Sequence, residues 1–199
     1  MEATQTPSSV KRRPWWVRLL AWIGGLVLGV GILVGAGYLY IQSSGNFHVV
    51  EDKVLYRSAQ LTGSDLTEFV NKYHIRSVIN LRGENKGTDW YDEEMAVVQK
   101  MHLAHADMSL SAREQLTMQE MQELVRLMTT LPTPVLVHCG GGTDRTGLAC
   151  ALYQISQGRS VEVARRELSI KYGHFPYLGS ETDAMDKSLE LYLKAQGQR

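Results

Sequence analysis

Apolar positions along this chain fall into two regimes. Positions 19–41 form one apolar run without a charge, and beyond it short apolar segments alternate with stretches of helical period. In the second regime Val54, Leu55 and Tyr56 predict a short strand. Gly63-Ser64-Asp65 opens a helix over 63–73, with Leu66, Phe69 and Val70 on one face. Positions 77–81 read as a buried strand, 92–101 as a helix and 102–108 as a third strand. Ser111 and Glu114 have the spacing of a capping box for a long helix reaching about residue 130, with Leu116, Met121, Leu124 and Leu127 toward the core. Pro132 and Pro134 end that stretch before the strand Val135-Leu136-Val137. Further helices are predicted over 161–172 and 181–196, with Tyr172-Gly173-His174 closing the first. Repeating strand–helix units predict an α/β domain whose mainly parallel central sheet is flanked by helices, with ligand beyond the strand carboxyl ends.

The run over 19–41 has 23 residues, enough to cross a hydrocarbon core of about 30 Å. Trp15, Trp16 and Trp22 lie near one end and Tyr38 and Tyr40 near the other, where amphipathic rings favour the membrane interface. Lys11, Arg12, Arg13 and Arg18 precede the run, and 42–52 carries neither Lys nor Arg. This predicts a single-pass membrane protein with its N-terminus cytoplasmic and the following domain outside, facing the periplasm from the inner membrane if the cell is bacterial. A cleaved signal peptide competes, but its apolar region spans about 7–15 residues and ends in a small-residue site. The organisation expected is a short basic tail over 1–18, a transmembrane helix over 19–41, a linker over 42–52 and a domain over 53–199. Gly25 with Gly29, and Gly31 with Gly35, have the spacing that lets helices approach closely. Two readings stand: a merely glycine-rich anchor, or a homodimer through this face.

The 199 residues suffice for one domain of about 150 plus this appendage. Lys+Arg and Asp+Glu balance at 21 each; from residue 46 onward they count 17 and 20. No basic stripe points to nucleic acid. Two cysteines argue against a disulfide scaffold. Cys150, among Leu148, Ala149, Ala151 and Leu152, reads as a small buried apolar residue; a resolving thiol for an oxidised Cys139 is the sharper alternative.

The chemistry gathers in His138-Cys139-Gly140-Gly141-Gly142-Thr143-Asp144-Arg145-Thr146-Gly147, between a strand and a helix. Successive glycines let the backbone turn its N–H groups inward, and the following helix adds the positive end of its dipole. That is a cradle for a tetrahedral oxyanion, and its field favours thiolate over thiol at the cysteine that opens it. Arg145 closes it with a planar fork that can hold two phosphate oxygens. No paired ligand spacing suits zinc, and no metal or cofactor is expected.

These residues resemble the catalytic loop of the protein tyrosine phosphatase superfamily: His138 and Cys139, five residues, then Arg145 and Thr146, with Gly142 at the internal glycine. The Asp-Arg-Thr-Gly ending is most similar to small, atypical dual-specificity enzymes. Val54-Leu55-Tyr56-Arg57-Ser58-Ala59-Gln60 and Val78-Ile79-Asn80-Leu81-Arg82 also look like segments of that group, so that the likeness covers about residues 47–175. It implies that Cys139 attacks phosphorus to form a phosphocysteine. Substrate binding would fall to Gly140, Gly141, Gly142, Thr143, Asp144 and Arg145. Thr146 would donate a hydroxyl hydrogen bond to the thiolate, and His138 would brace the loop from behind.

The leaving oxygen needs a proton, and two aspartates offer one. Asp107, at a strand end, resembles the family's mobile acid in place and separation and is narrowly favoured; Asp144, inside the cradle, is the other. Relatives that favour phosphoinositides often carry lysine where this chain has Thr143. Arg57 and Arg82 could supply a missing cation, or pair with carboxylates such as Asp52, Glu84 and Asp89. Three functions follow. First is a phosphatase of phosphotyrosine or phosphoserine/threonine proteins; second, a phosphoinositide or inositol phosphate phosphatase; third, a catalytically silent phosphate-binding module. A rhodanese-like sulfur transferase also uses a loop cysteine, but the Asp-Arg-Thr-Gly ending does not resemble it.

Overall fold

A computed structural model describes residues 14–177 and 180–197. Lys11, Arg12, Arg13 and the rest of 1–13 lie outside the described residues. The chain divides into two compact units, Met1–Leu39 and Tyr40–Arg199.

The first unit is the greater part of helix α1, Trp15–Ser43. Within it Trp15–Gly37 is long and apolar enough to cross a membrane, with a mean hydropathy of 2.3; a signal sequence near an N-terminus passes the same test. Trp22, Leu26 and Leu33 are exposed along it.

In the second unit a five-stranded sheet has the order β1-β2-β5-β3-β4. Its strands are β1 (His48–Glu51), β2 (Leu55–Ser58), β3 (Ser77–Asn80), β4 (Ala104–Asp107) and β5 (Val135–His138). Edge strand β1 runs antiparallel to β2; all other pairs are parallel. The sheet is thus mixed but mostly parallel, and the stretch 42–52 supplies its antiparallel edge.

Period-2 alternation in the buried strands splits their side chains between two helical layers. Tyr56, Val78 and Leu136 pack against α2 (Gly63–Tyr73) and α3 (Asp89–Lys100) through Leu66, Val70 and Val97. Leu55, Ile79, Val135 and Val137 face the larger core, built from α4 (Met118–Thr130), α5 (Asp144–Ser156), α6 (Val161–Arg166) and α7 (Asp183–Ala195). From Thr146 to Ile155 every α5 residue is buried, so this helix is apolar all round and forms the centre of that layer.

Two predicted boundaries are corrected. The capping box is Thr117 with Glu120, not Ser111 with Glu114, and α4 starts at Met118. Leu116 is drawn into the core and its N–H donates to Ser188 Oγ, which keeps 111–117 irregular. The helix read over 161–172 stops at Arg166 and resumes as a 3-10 turn, Ile170–Tyr172. The break falls where Glu167 turns inward to the buried Arg57.

Candidate active site

β5 lies between β2 and β3, and its register sets the site. Asn80 is level with His138 on one side and Asp107 on the other, so Cys139, Leu81 and Asp107 emerge together at the carboxyl end of the sheet. Parallel strands ending together leave a crevice there, and the loop from Cys139 into α5 fills it.

Only one of the three glycines needs its freedom. Gly142 has φ +68°, and a Cβ there would stand 2.5 Å from Ala59 N and 2.6 Å from Ser58 C. A Cβ on Gly140 would meet nothing nearer than Arg145 Nη2 at 3.9 Å. The loop is therefore pressed against the end of β2 at Gly142 alone. Gly142→Ala is expected to cut turnover of an aryl phosphate by about 100-fold or more through backbone displacement. Gly140→Ala should retain most of it, and assays of the two purified variants side by side check the contrast.

The loop's donors are left for a ligand. Among the described residues no protein acceptor meets the N–H groups of Gly140 through Arg145. Arg145 anchors its guanidinium through Nη1 on the carbonyls of Leu81 (3.2 Å) and Leu110 (3.1 Å), while its buried Nε has no partner. The Thr146 hydroxyl is also buried and unpartnered. Buried donors of this kind are costly unless an acceptor arrives. Cys139, 2% exposed, opens the same turn. The arrangement suits one tetrahedral dianion beside a thiol.

Two buried polar assemblies brace the cradle. Arg57 is fully buried: its Nη1 donates to Glu167 Oε2 (2.7 Å) and Glu167 O (3.0 Å), its Nη2 to Gly142 O (2.9 Å). Its guanidinium lies 3.8 Å from the Tyr172 ring centroid. Arg57 thus supports the loop from beneath, and of its two readings it takes the carboxylate pair, with Glu167. On the other side His138 Nε2 approaches Glu94 Oε2 at 3.0 Å, off the hydrogen-bond axis, while Gln60 donates to the same oxygen and His105 meets the other. Burial pushes the Glu94 carboxyl up, but the contacts with His105, His138 and Gln60 outweigh it and hold it far below the usual carboxylate range. Gln60 also donates its N–H to Gly140 O and accepts from Arg82 Nη1.

Glu94 escaped sequence reasoning, though its signal was present: it sits between Tyr91 and Val97 on the buried face of α3. A carboxylate on an apolar stripe demands a partner.

Both candidate acids are engaged. Asp107 accepts from Asn80 Nδ2 and from the Tyr91 hydroxyl, each at 2.7 Å. Burial, then this bond to Asp107, pushes the Tyr91 hydroxyl pKa up, which keeps it the donor. Asp144 accepts from the Thr143 hydroxyl (2.8 Å) and contacts His174 Nδ1 (2.7 Å). Cys150 is fully buried in α5, where burial raises its thiol pKa strongly. Its surroundings are those of a packing residue.

The family model described as "DSP-PTPase phosphatase fused to NAD+ Kinase" matches residues 38–184. This chain belongs to that family. It is accordingly a cysteine-dependent phosphatase of the dual-specificity type, a phosphomonoester hydrolase by family. Solved structures share the fold. TpbA of P. aeruginosa is 20% identical with a TM-score of 0.60, the match covering 74% of this chain and 85% of that one. The core catalytic domain of the PP-IP phosphatase SIW14 from S. cerevisiae, in complex with citrate, is 15% identical at a TM-score of 0.59, covering 76% and 93%. PTPMT1 in complex with PI(5)P is 16% identical at 0.53, covering 76% and 98%. TpbA is also known in complex with pTyr.

Proposed function

We propose that this chain is a membrane-anchored phosphatase acting on phosphotyrosine or phosphoserine/threonine proteins through a phosphocysteine. The observation that carries it is the set of unpartnered donors beside Cys139: the N–H groups of Gly140 to Arg145, Arg145 Nε and Thr146 Oγ1. In the first step Cys139 Sγ forms a bond to phosphorus as the ester P–O bond breaks, and Asp107 gives its proton to the leaving oxygen. In the second, water attacks phosphorus, the S–P bond breaks and Asp107 takes a proton from the water. Backbone N–H groups and Arg145 match the charge on the equatorial oxygens throughout. Asp107 is preferred over Asp144 because it stands at the end of β4, at the same end of the sheet as Cys139. Asp144, which meets Thr143 and His174, lies within the loop itself.

Asp107→Asn is expected to lower turnover of alkyl phosphates by roughly 100-fold or more, with a smaller loss for aryl phosphates whose phenoxide leaves unaided. The pH–rate profile should lose its alkaline limb. Equal losses across leaving groups would give the proton to another residue.

Arg82 favours a second substrate class, inositol phosphates or phosphoinositides. Its guanidinium stacks 3.4 Å from the Trp90 ring centroid and donates to Gln60 Oε1, whose backbone N–H holds Gly140 O; burial, then the Arg145 charge, lowers its pKa. A second cation at the cradle's mouth suits a second phosphate. TpbA in complex with pTyr and PTPMT1 in complex with PI(5)P stand for the two classes. Turnover by the full-length chain in detergent, on a phosphopeptide panel beside a phosphoinositide panel, decides between them.

In this reading the anchor is Trp15–Gly37, with the domain on the outer side and one glycine pair, Gly25/Gly29 or Gly31/Gly35, open to a second copy. Protease digestion of sealed vesicles tests the orientation, and crosslinking in the membrane tests the dimer.

A further inference from the structure

His174 lies beyond the reacting groups yet reaches the cradle through Asp144. The 3-10 turn at Ile170–Tyr172 ends in Gly173, whose φ of +89° turns the chain back; a Cβ there would lie 3.0 Å from Thr143 Cγ2. Asn46, fully buried, ties the same turn to the cradle by donating to Tyr172 O (2.9 Å) and Gly141 O (3.0 Å). His174 is thereby sealed against the start of α5, with 1% of its side chain exposed. Nδ1 meets Asp144 Oδ1 at 2.7 Å, and Nε2 meets Asp186 Oδ2 of α7 at 2.9 Å.

A ring with carboxylate oxygens against both nitrogens needs a proton on each; a neutral ring would turn a lone pair toward one of them. Burial opposes that charge, but the hydrogen bonds to Asp144 and Asp186 outweigh it and raise the His174 pKa to about 9. The charged groups facing it are Asp144 from α5 and Asp186 from α7. Lys171 of its own segment donates to the Tyr172 hydroxyl, Arg57 of β2 is paired with Glu167, and Lys187 of α7 is paired with Asp183. Asp144 is the odd member of an anion cradle, a carboxylate beside the arginine that must hold phosphate.

We propose that His174 is a positioning residue for phosphate: as an imidazolium it neutralises Asp144 and fixes that carboxylate away from the anion, so the cradle binds phosphate fully only while His174 is protonated. This rests on the cradle being the phosphate site proposed above. Binding and protonation are then reciprocal, each favouring the other. Asp186, with 43% of its side chain exposed on α7, is the outer end of the relay and touches nothing in the cradle.

The test uses the full-length chain in detergent carrying Cys139→Ser, so that the thiol does not titrate. Inorganic phosphate is the probe, followed by calorimetry from pH 8 to 10, where it remains a dianion. The expected result is a dissociation constant that rises about tenfold across this range, centred near the pH at which the His174 ring titrates by NMR. Added phosphate should move that ring titration upward. Asp186→Asn should shift both curves down by about one pH unit with little change of affinity at pH 7. His174→Gln should weaken binding at pH 8 by about tenfold and flatten the curve, and adding Asp144→Asn should return affinity toward the starting value by removing the uncompensated charge. Two outcomes overturn the proposal: affinity flat through pH 10, or a fall whose midpoint ignores Asp186→Asn. Absence of any phosphate binding at pH 7, with no aryl phosphate turnover by the unsubstituted chain, instead rejects the active-site reading itself.

Discussion

Cys139→Ser is expected to abolish phosphate release from para-nitrophenyl phosphate, by at least about 10³-fold, without loss of the fold. In the proposed reaction the thiol contributes the attacking atom and little else. Cys139 sits at 2% exposure, and serine is slightly smaller and equally at home beside polar donors. The N–H groups from Gly140 to Arg145 belong to the backbone, and Arg145 is anchored by the carbonyls of Leu81 and Leu110, so the anion site outlives the substitution. Phosphate release without added metal, thermal unfolding and phosphate calorimetry, run together, separate the alternatives. Turnover at the starting level would place the chemistry elsewhere; loss of binding along with turnover would mean that the thiol also shapes the cradle.

Arg57→Met should be the most destabilising single change, by about 3–5 kcal/mol, which for a domain of this size is on the order of 10 °C in melting temperature. The side chain is fully buried and holds Glu167 and the carbonyl of Gly142 at once. Removing it strands the Glu167 carboxylate, whose remaining side-chain partner is Gln154 at 3.3 Å. It also frees the Gly142 turn, so turnover should fall further than stability alone explains. Adding Glu167→Gln should recover part of the loss, because the stranded charge goes with it. Thermal melts of the single and double variants measure this; an additive double variant would show that the arginine acts through packing on Tyr172 instead.

The strand–loop–helix that carries Cys139 and Arg145 and the parallel strands are legible in the sequence because each rests on local order. His138 to Gly147 is one contiguous turn, and β3 and β5 are short apolar runs bounded by breakers. What it concealed depends on contacts between distant segments. A carboxylate partner for Arg57 could be expected, but Glu167 falls inside the helix predicted over 161–172, and only the break at the end of α6 turns it inward. The expected stop at Tyr172-Gly173-His174 does end a helical turn; the meeting of His174 with Asp144 and Asp186 follows only from the packing of α7. The misplaced capping box has the same origin. Two Ser/Thr-x-x-Glu candidates, at Ser111 and Thr117, compete along one stretch, and the burial of Leu116 selects the second.

The central place of β5 also governs when the cradle comes into being. Val135 pairs with Leu55 and with Ser77, both far upstream, and parallel strands cannot be joined by a tight hairpin. Each pairing must close a long loop before it returns any contact energy. Downstream, the cradle's underside awaits Glu167 and its outer wall awaits Gly173 and His174. A chain still on the ribosome with Cys139 just emerged therefore carries an ordinary cysteine and no anion site. The cradle's walls are complete only once the chain has been made as far as His174, so any shorter nascent chain lacks the assembled loop.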